Sequence, residues 1–136
     1  MSLKIVNFII YIIVLSTLSI YSAFAEQKTI TFDDGSTYIG EVVGGNMEGK
    51  GLFKSSKNTS NKQLIYSGEF KEGKFNGLGK LDFYNGDSYI GGFLDGYMHG
   101  SGLLKYESGS EYEGFFNKGN KEGKGRLVYS DGSIYE

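Results

Sequence analysis

The chain contains no cysteine, no proline, no tryptophan and a single histidine. Without cysteine, disulfides, thiolate catalysis and cysteine-based metal sites are all excluded, and so is a lipid-modified cysteine behind an N-terminal apolar run. One histidine gives too few imidazoles for a transition-metal site and leaves only His99 as the base of a Ser-His-Asp arrangement. Basic residues are no richer: 14 Lys and Arg stand against 16 Asp and Glu, a net charge of −2, which argues against nucleic acid as a partner because such binders are normally basic. From residue 26 onward no segment has helical apolar periodicity. No cofactor is expected.

What is present begins with a leader. Lys4 precedes a largely apolar, uncharged run from Ile5 to about Tyr21, which closes on Ala23-Phe24-Ala25, the small-x-small pattern of a signal-peptidase site. The expectation is a helical signal peptide over 1–25, cut after Ala25, and an exported product that is periplasmic or secreted. The alternative is an uncleaved membrane anchor, since about 20 apolar residues suffice to cross a bilayer. Ser16, Thr17, Ser19 and Ser22 dilute the second half of the run and no basic stop-transfer cluster follows, which favours cleavage.

Behind the leader the sequence repeats. Tyr66, Tyr89, Tyr112 and Tyr135 are spaced 23 residues apart. Counted from the tyrosine, glycine stands at offset two (Gly68, Gly91, Gly114) and phenylalanine at four (Phe70, Phe93, Phe116). Glycine returns at seven (Gly73, Gly96, Gly119), eleven (Gly77, Gly100, Gly123), thirteen (Gly79, Gly102, Gly125) and twenty (Gly86, Gly109, Gly132). Leucine holds offset fifteen and an aromatic holds seventeen, as in Leu81 and Phe83. An earlier copy opens at Tyr38, with the polar stretch Ser55 to Gln63 as surplus. The organisation is a half-unit at 29–37, units at 38–65, 66–88, 89–111 and 112–134, and a stub at 135–136.

Spacing dictates local structure. Side chains alternate along a strand, so offsets zero, two and four share a face, as do thirteen, fifteen and seventeen, and each unit is two short strands. One face carries Tyr, Gly, Phe, Leu and an aromatic. The other carries residues such as Ser67, Glu69, Lys80 and Asp82 that suit water. Asn85-Gly86, Ser108-Gly109 and Asp131-Gly132 predict tight two-residue hairpin turns between units. Glycines at offsets two and thirteen lie among the aromatics, where a missing side chain lets a ring lie flat against backbone. The tyrosines are expected to stack as one ladder and the phenylalanines as another, worth about 0.5–1.5 kcal/mol per ring pair beyond buried area.

This Tyr-x-Gly-x-Phe unit, with its later His-Gly-x-Gly and turn glycine, resembles the MORN (membrane occupation and recognition nexus) repeat. The resemblance implies an all-β fold, an elongated, twisted antiparallel sheet of tandem hairpins, and a function as scaffold, dimerisation module or phospholipid contact. The repeat's histidine survives only as His99; Glu48, Asn76 and Glu122 occupy the matching positions.

The remaining chemistry is sparse. Glu111 and Glu113 flank Tyr112, and Glu69 and Glu72 lie either side of Phe70, but their offsets vary from unit to unit, as a solvated face allows and a glycosidase pair does not. Gly123-Lys124-Gly125 leads into another strand, whereas a phosphate cradle leads into a helix. His99 is accounted for by the repeat as a turn-packing residue. The chain therefore reads as a non-catalytic protein-binding or scaffold module. Tyr66, Phe70, Tyr89, Phe93, Tyr112 and Phe116 are either core or an aromatic face for a protein partner, and open strand ends favour a homo-oligomer. The alternative is a peripheral module that touches anionic lipid through Lys118, Lys121, Lys124 and Arg126.

Overall fold

The computed structural model describes residues 25–58 and 60–136. The expected leader, with its helix, lies outside the described residues apart from Ala25. Ten strands follow in chain order: β1 (Glu26–Thr31), β2 (Thr37–Val43), β3 (Asn46–Lys54), β4 (Ile65–Lys71), β5 (Lys74–Asp82), β6 (Ser88–Leu94), β7 (Tyr97–Lys105), β8 (Glu111–Asn117), β9 (Asn120–Val128) and β10 (Ile134–Tyr135). They form one open antiparallel sheet in which each strand pairs with its neighbours in sequence. The fold is thus the all-β run of hairpins that the repeat predicts. β1 supplies the second half of a unit, with Ile30 opposite Tyr38, and begins at Glu26, ahead of the expected half-unit at 29.

The register places glycine opposite glycine seven times in succession. Gly40 pairs with Gly51, Gly51 with Gly68, Gly68 with Gly79, Gly79 with Gly91, Gly91 with Gly102, Gly102 with Gly114 and Gly114 with Gly125. A band without side chains therefore crosses eight strands. On one face the tyrosine rings lie on this band: a Cβ added at Gly68 would stand 2.6 Å from the Gly79 Cα and 2.6 Å from the Tyr66 hydroxyl. Gly79 has the same ring above it, with Tyr66 Cε2 2.6 Å from where a Cβ would project. The expected flat packing of a ring on backbone is what the fold contains.

Beside the band each unit carries a β-bulge. Gly68 opposes Gly79 but Glu69 opposes Asn76, so Gly77 and Leu78 are extra on β5. The tyrosine hydroxyl ties this bulge together. Tyr66 donates to the Glu69 carbonyl at 2.8 Å and lies 3.3 Å from that of Asn76, and Tyr38 does the same with Glu41 and Glu48. Tyr89 donates to the Gly92 carbonyl at 3.1 Å. A buried hydroxyl thus has its partner in every one of these three copies.

The turns depart from expectation. Asn85-Gly86 does not form a two-residue turn; Tyr84, Asn85 and Gly86 make a three-residue loop in which only Gly86 has positive φ. Gly86 N–H donates to the Phe83 carbonyl at 3.2 Å and Phe83 N–H to that of Asp87 at 2.9 Å. That is a tight turn closed by a left-handed glycine. The Asn85 side-chain oxygen accepts from Asp87 N–H at 3.1 Å, and Asp34 and Asp131 act likewise on Ser36 and Ser133. This capping accompanies the three-residue loop at these three sites, and the Ser108-Gly109 loop takes the same form without it, closed by the Tyr106 N–H to the Ser110 carbonyl. The two-residue turns lie within the units instead, at Gly44-Gly45, Glu72-Gly73, Asp95-Gly96 and Lys118-Gly119, where both residues have positive φ.

Successive units also bond through their turns. Gly96 N–H donates to the Phe75 carbonyl at 2.9 Å and Gly119 N–H to that of Met98 at 2.9 Å. The Ser55 to Gln63 surplus replaces one loop between β3 and β4, closed by Ser55 N–H to the Leu64 carbonyl at 2.9 Å.

Gly68→Ala should therefore cost roughly 1–3 kcal/mol, because the added methyl meets backbone that cannot yield. Ser67→Ala, one residue away on the other face, should stay within about 0.5 kcal/mol of wild type. Urea unfolding of both variants measures the difference; equal midpoints would remove the close approach as a constraint.

Candidate functional site

The tyrosines and phenylalanines do not form two ladders. They alternate in one zig-zag, each ring edge-on to the next. Tyr38 meets Phe70 at 4.9 Å, Phe70 meets Tyr66 at 5.1 Å, Tyr66 meets Phe93 at 4.9 Å, and Phe93 meets Tyr89 at 5.2 Å. Phe116 then links Tyr89 at 5.0 Å to Tyr112 at 5.4 Å. The interplanar angles run from 75° to 88°, the edge-to-face geometry that ring quadrupoles favour. With 23 residues between copies, like rings stand two strands apart; the phenylalanine of the next unit fills the interval.

Tyr66 and Tyr112 are also covered by the residue at offset nine, a position whose role the repeat pattern alone does not reveal. Phe75 stacks on Tyr66 with centroids 3.8 Å apart and planes at 9°. In the last unit Lys121 takes that place, with Nζ 4.5 Å from the Tyr112 centroid. The consequence for the expected partner face is decisive. Tyr66 and Tyr89 are 0% exposed, and Phe70, Phe93, Tyr112 and Phe116 are all buried, so the six form the core and present no surface.

Exposed aromatics include Tyr97 on β7, Phe115 on β8 and Tyr135 on β10, and a further group lies at the loop margin. Phe32, Phe83, Tyr106 and Tyr129 each open an interunit loop at offset seventeen, and Phe32 and Tyr129 are exposed. Tyr84 adds a second exposed ring there. This row skips the unit that opens at Tyr38, where Ser55 holds offset seventeen, and its Phe83 and Tyr106 are half-buried against the core; offset alone could not separate it from the buried rings of the same face.

The basic cluster is not brought together. Lys118 sits in a turn, Lys121 lies on the aromatic face, and Lys124 and Arg126 project from the opposite face, where Arg126 pairs with Glu136 at 3.3 Å. The β9 bulge and strand alternation divide what sequence proximity suggested. His99 is half-buried on β7 beside Gly100, and a Cβ at Gly92 would collide with its carbonyl oxygen. Glu111 bonds Lys105 at 2.6 Å across the strands, and the Glu69 carboxylate accepts Leu78 N–H at 3.2 Å beside the bulge. These acids have structural partners.

The opposite face is less polar than the alternation predicted. Leu78, Ile90 and Phe115 stand there at 69%, 50% and 55% exposure, alongside Ile39. Bulging turns Leu78 outward beside the glycine band, and open clefts on this face are lined by Ile39, Leu52 and Leu78 and by Leu103 and Phe115.

The sequence model of the MORN repeat matches residues 38–60, 66–88, 89–111 and 112–134. The chain belongs to the MORN repeat family. The four matches open at Tyr38, Tyr66, Tyr89 and Tyr112 as the units do, and the last three also end with them, so the regular MORN unit is the hairpin plus its interunit loop; the first match stops at 60, inside the surplus loop, short of the expected 65. A search of curated proteins gave no match. MORN repeats are consistent with a protein or lipid interaction module.

Burial, and next the Glu69 carboxylate, push the Tyr66 phenol up to about 12; burial raises Tyr38 and Tyr89 as well. A phenol that holds its proton more tightly in the folded chain than in the unfolded one, near 10, stabilises fully below about pH 10 and loses that contribution as pH rises toward the folded value. The melting temperature should therefore hold at neutral pH and fall above about pH 10. Tyr66→Phe should lose about 1 kcal/mol at neutral pH, from the missing hydrogen bonds, and show a shallower alkaline fall. A melt independent of pH between 9 and about 12 would contradict the buried hydroxyls.

Proposed function

We propose that this MORN protein is an exported, non-catalytic protein-interaction module, a scaffold whose repeated surface is read by a protein partner outside the cytoplasm. The observation that carries the reading is the row of loop-margin aromatics, Phe32, Phe83, Tyr106 and Tyr129, together with exposed Tyr84. Aromatic rings on short loops supply rigid contact area at low entropic cost, and their recurrence in the three consecutive units that open at Tyr66, Tyr89 and Tyr112 suits an extended partner. Export is supported by the leader sequence and by the start of β1 at Glu26, the residue that follows the expected cut. Glu111 is held by an ion pair with Lys105, Glu69 accepts a backbone N–H at the bulge, and His99 is half-buried on β7, which favours binding over catalysis. The division of the basic cluster between two faces and a turn favours a protein partner over a phospholipid surface.

In the producing cell the processed chain should have the mass of residues 26–136 and fractionate outside the cytoplasm. A full-length mass held in the membrane fraction would instead establish the anchor. A photocrosslinking amino acid at Tyr129 should capture a protein adduct, whereas one at Lys57, in the surplus loop, should not. Absence of any adduct at Tyr129, with salt-sensitive co-sedimentation on anionic but not neutral vesicles, would transfer the function to the lipid alternative.

A further inference from the structure

The face opposite the aromatic column carries an ordered pattern. The glycine band leaves a trough there, flanked by two rows of side chains. In one row, strand by strand from β4 to β9, stand Ser67, Lys80, Ile90, Leu103, Glu113 and Arg126, each directly opposite the next. On the other side of the trough stand Glu69, Leu78, Gly92, Ser101, Phe115 and Lys124; Leu78 opposes Gly92, and Ser101 opposes Phe115. Apolar residues hold the centre and charges the flanks.

We propose that this face binds a second copy of the chain, about a two-fold axis that lies between the faces and runs along the strands between β6 and β7. Such an axis exchanges β6 with β7, β5 with β8 and β4 with β9, while leaving height along the strand unchanged. Ile90 then meets Leu103 of the second copy and Leu78 meets Phe115, so the exposed apolar residues of the centre cover one another. Lys80 meets Glu113, and Glu69 meets Lys124. A two-fold contact makes every such match twice. The sequence selects this axis over its neighbours: between β5 and β6, Lys80 would face Ile90 and Leu78 would face Gly92; between β7 and β8, Leu103 would face Glu113 and Ser101 would face Phe115.

One further row tests the arrangement. Asp82 would come opposite Glu111, a like-charge pair, but each has its own lysine: Lys80 lies 2.9 Å from Asp82 and Lys105 2.6 Å from Glu111. In the same row Ile65 would meet Val128. Two sheets packed face to face keep their strands nearly aligned, as this axis requires. The loop-margin aromatics stay free, so the contact is independent of the partner surface proposed above and of export.

Charge reversal gives the test, because Lys80, Glu113, Glu69 and Lys124 are exposed and outside the core. Sedimentation velocity on the full chain at micromolar concentrations should find a dimer. Lys80→Glu alone sets a second carboxylate against Glu113, and Glu113→Lys alone sets a second ammonium against Lys80; each should raise the dissociation constant at least ten-fold while leaving the thermal melt of the dilute monomer unmoved. An equimolar mixture of the two single variants restores both ion pairs and should return to dimer, as should the double variant. Phe115→Ser should give monomer. A monomeric wild type would overturn the proposal, as would a dimer that survives both reversals and Phe115→Ser. A dimer weakened by both reversals but not restored on mixing would overturn the two-fold matching.

Discussion

Everything in this sheet depends on a tyrosine ring lying flat on a pair of opposed glycines. The ring needs bare backbone beneath it, which fixes glycine at offsets two and thirteen. Its hydroxyl needs an acceptor, which the carbonyls of the neighbouring β-bulge provide for Tyr38 and Tyr66. Its edge needs apolar neighbours, which phenylalanines from its own unit and the next supply. A single constraint thus couples backbone register, bulge position and interunit packing, and accounts for most of the identities that recur every 23 residues.

That coupling explains how the described residues, without disulfides or a second layer, build a core. A single sheet cannot bury a broad apolar face by itself. Here the buried material is narrow, a zig-zag of seven rings from Tyr38 to Tyr112 sunk into a groove that the missing glycine side chains create. Phe75 and Lys121, at offset nine, then close over Tyr66 and Tyr112. The same missing side chains open a trough on the other face, so the feature that makes the core also makes a surface. Apolar residues beside that trough are exposed because no ring descends on them.

The fold was legible because its signals are local and repeated. Strand length, alternation and pairing order all follow from offsets zero to four and thirteen to seventeen. Two errors have a common source: reading like residues as neighbours. Tyr66 and Tyr89 share an offset but not a contact, since a whole hairpin separates them. Lys118, Lys121, Lys124 and Arg126 are close in sequence but divided by a bulge and by alternation. Turn geometry escaped for another reason: Asn85-Gly86 and Asp95-Gly96 are both Asx-Gly pairs, yet Asp95 has positive φ and Asn85 does not, and the dipeptide alone carries no sign of which. Which aromatics are surface was not legible, because offsets zero and seventeen share a face and differ only in what covers them.

The central claim is most directly tested by the proton chemical shifts of the band glycines. An Hα that points into a tyrosine face is strongly shielded by the ring current. The account predicts pronounced upfield Hα resonances for Gly79, Gly102 and Gly125, and ordinary values for the turn glycines Gly96 and Gly119, beside which no side chain lies within contact. Indistinguishable shifts in the two groups would mean that the rings do not rest on the band, and the explanation of the repeat would fail with them.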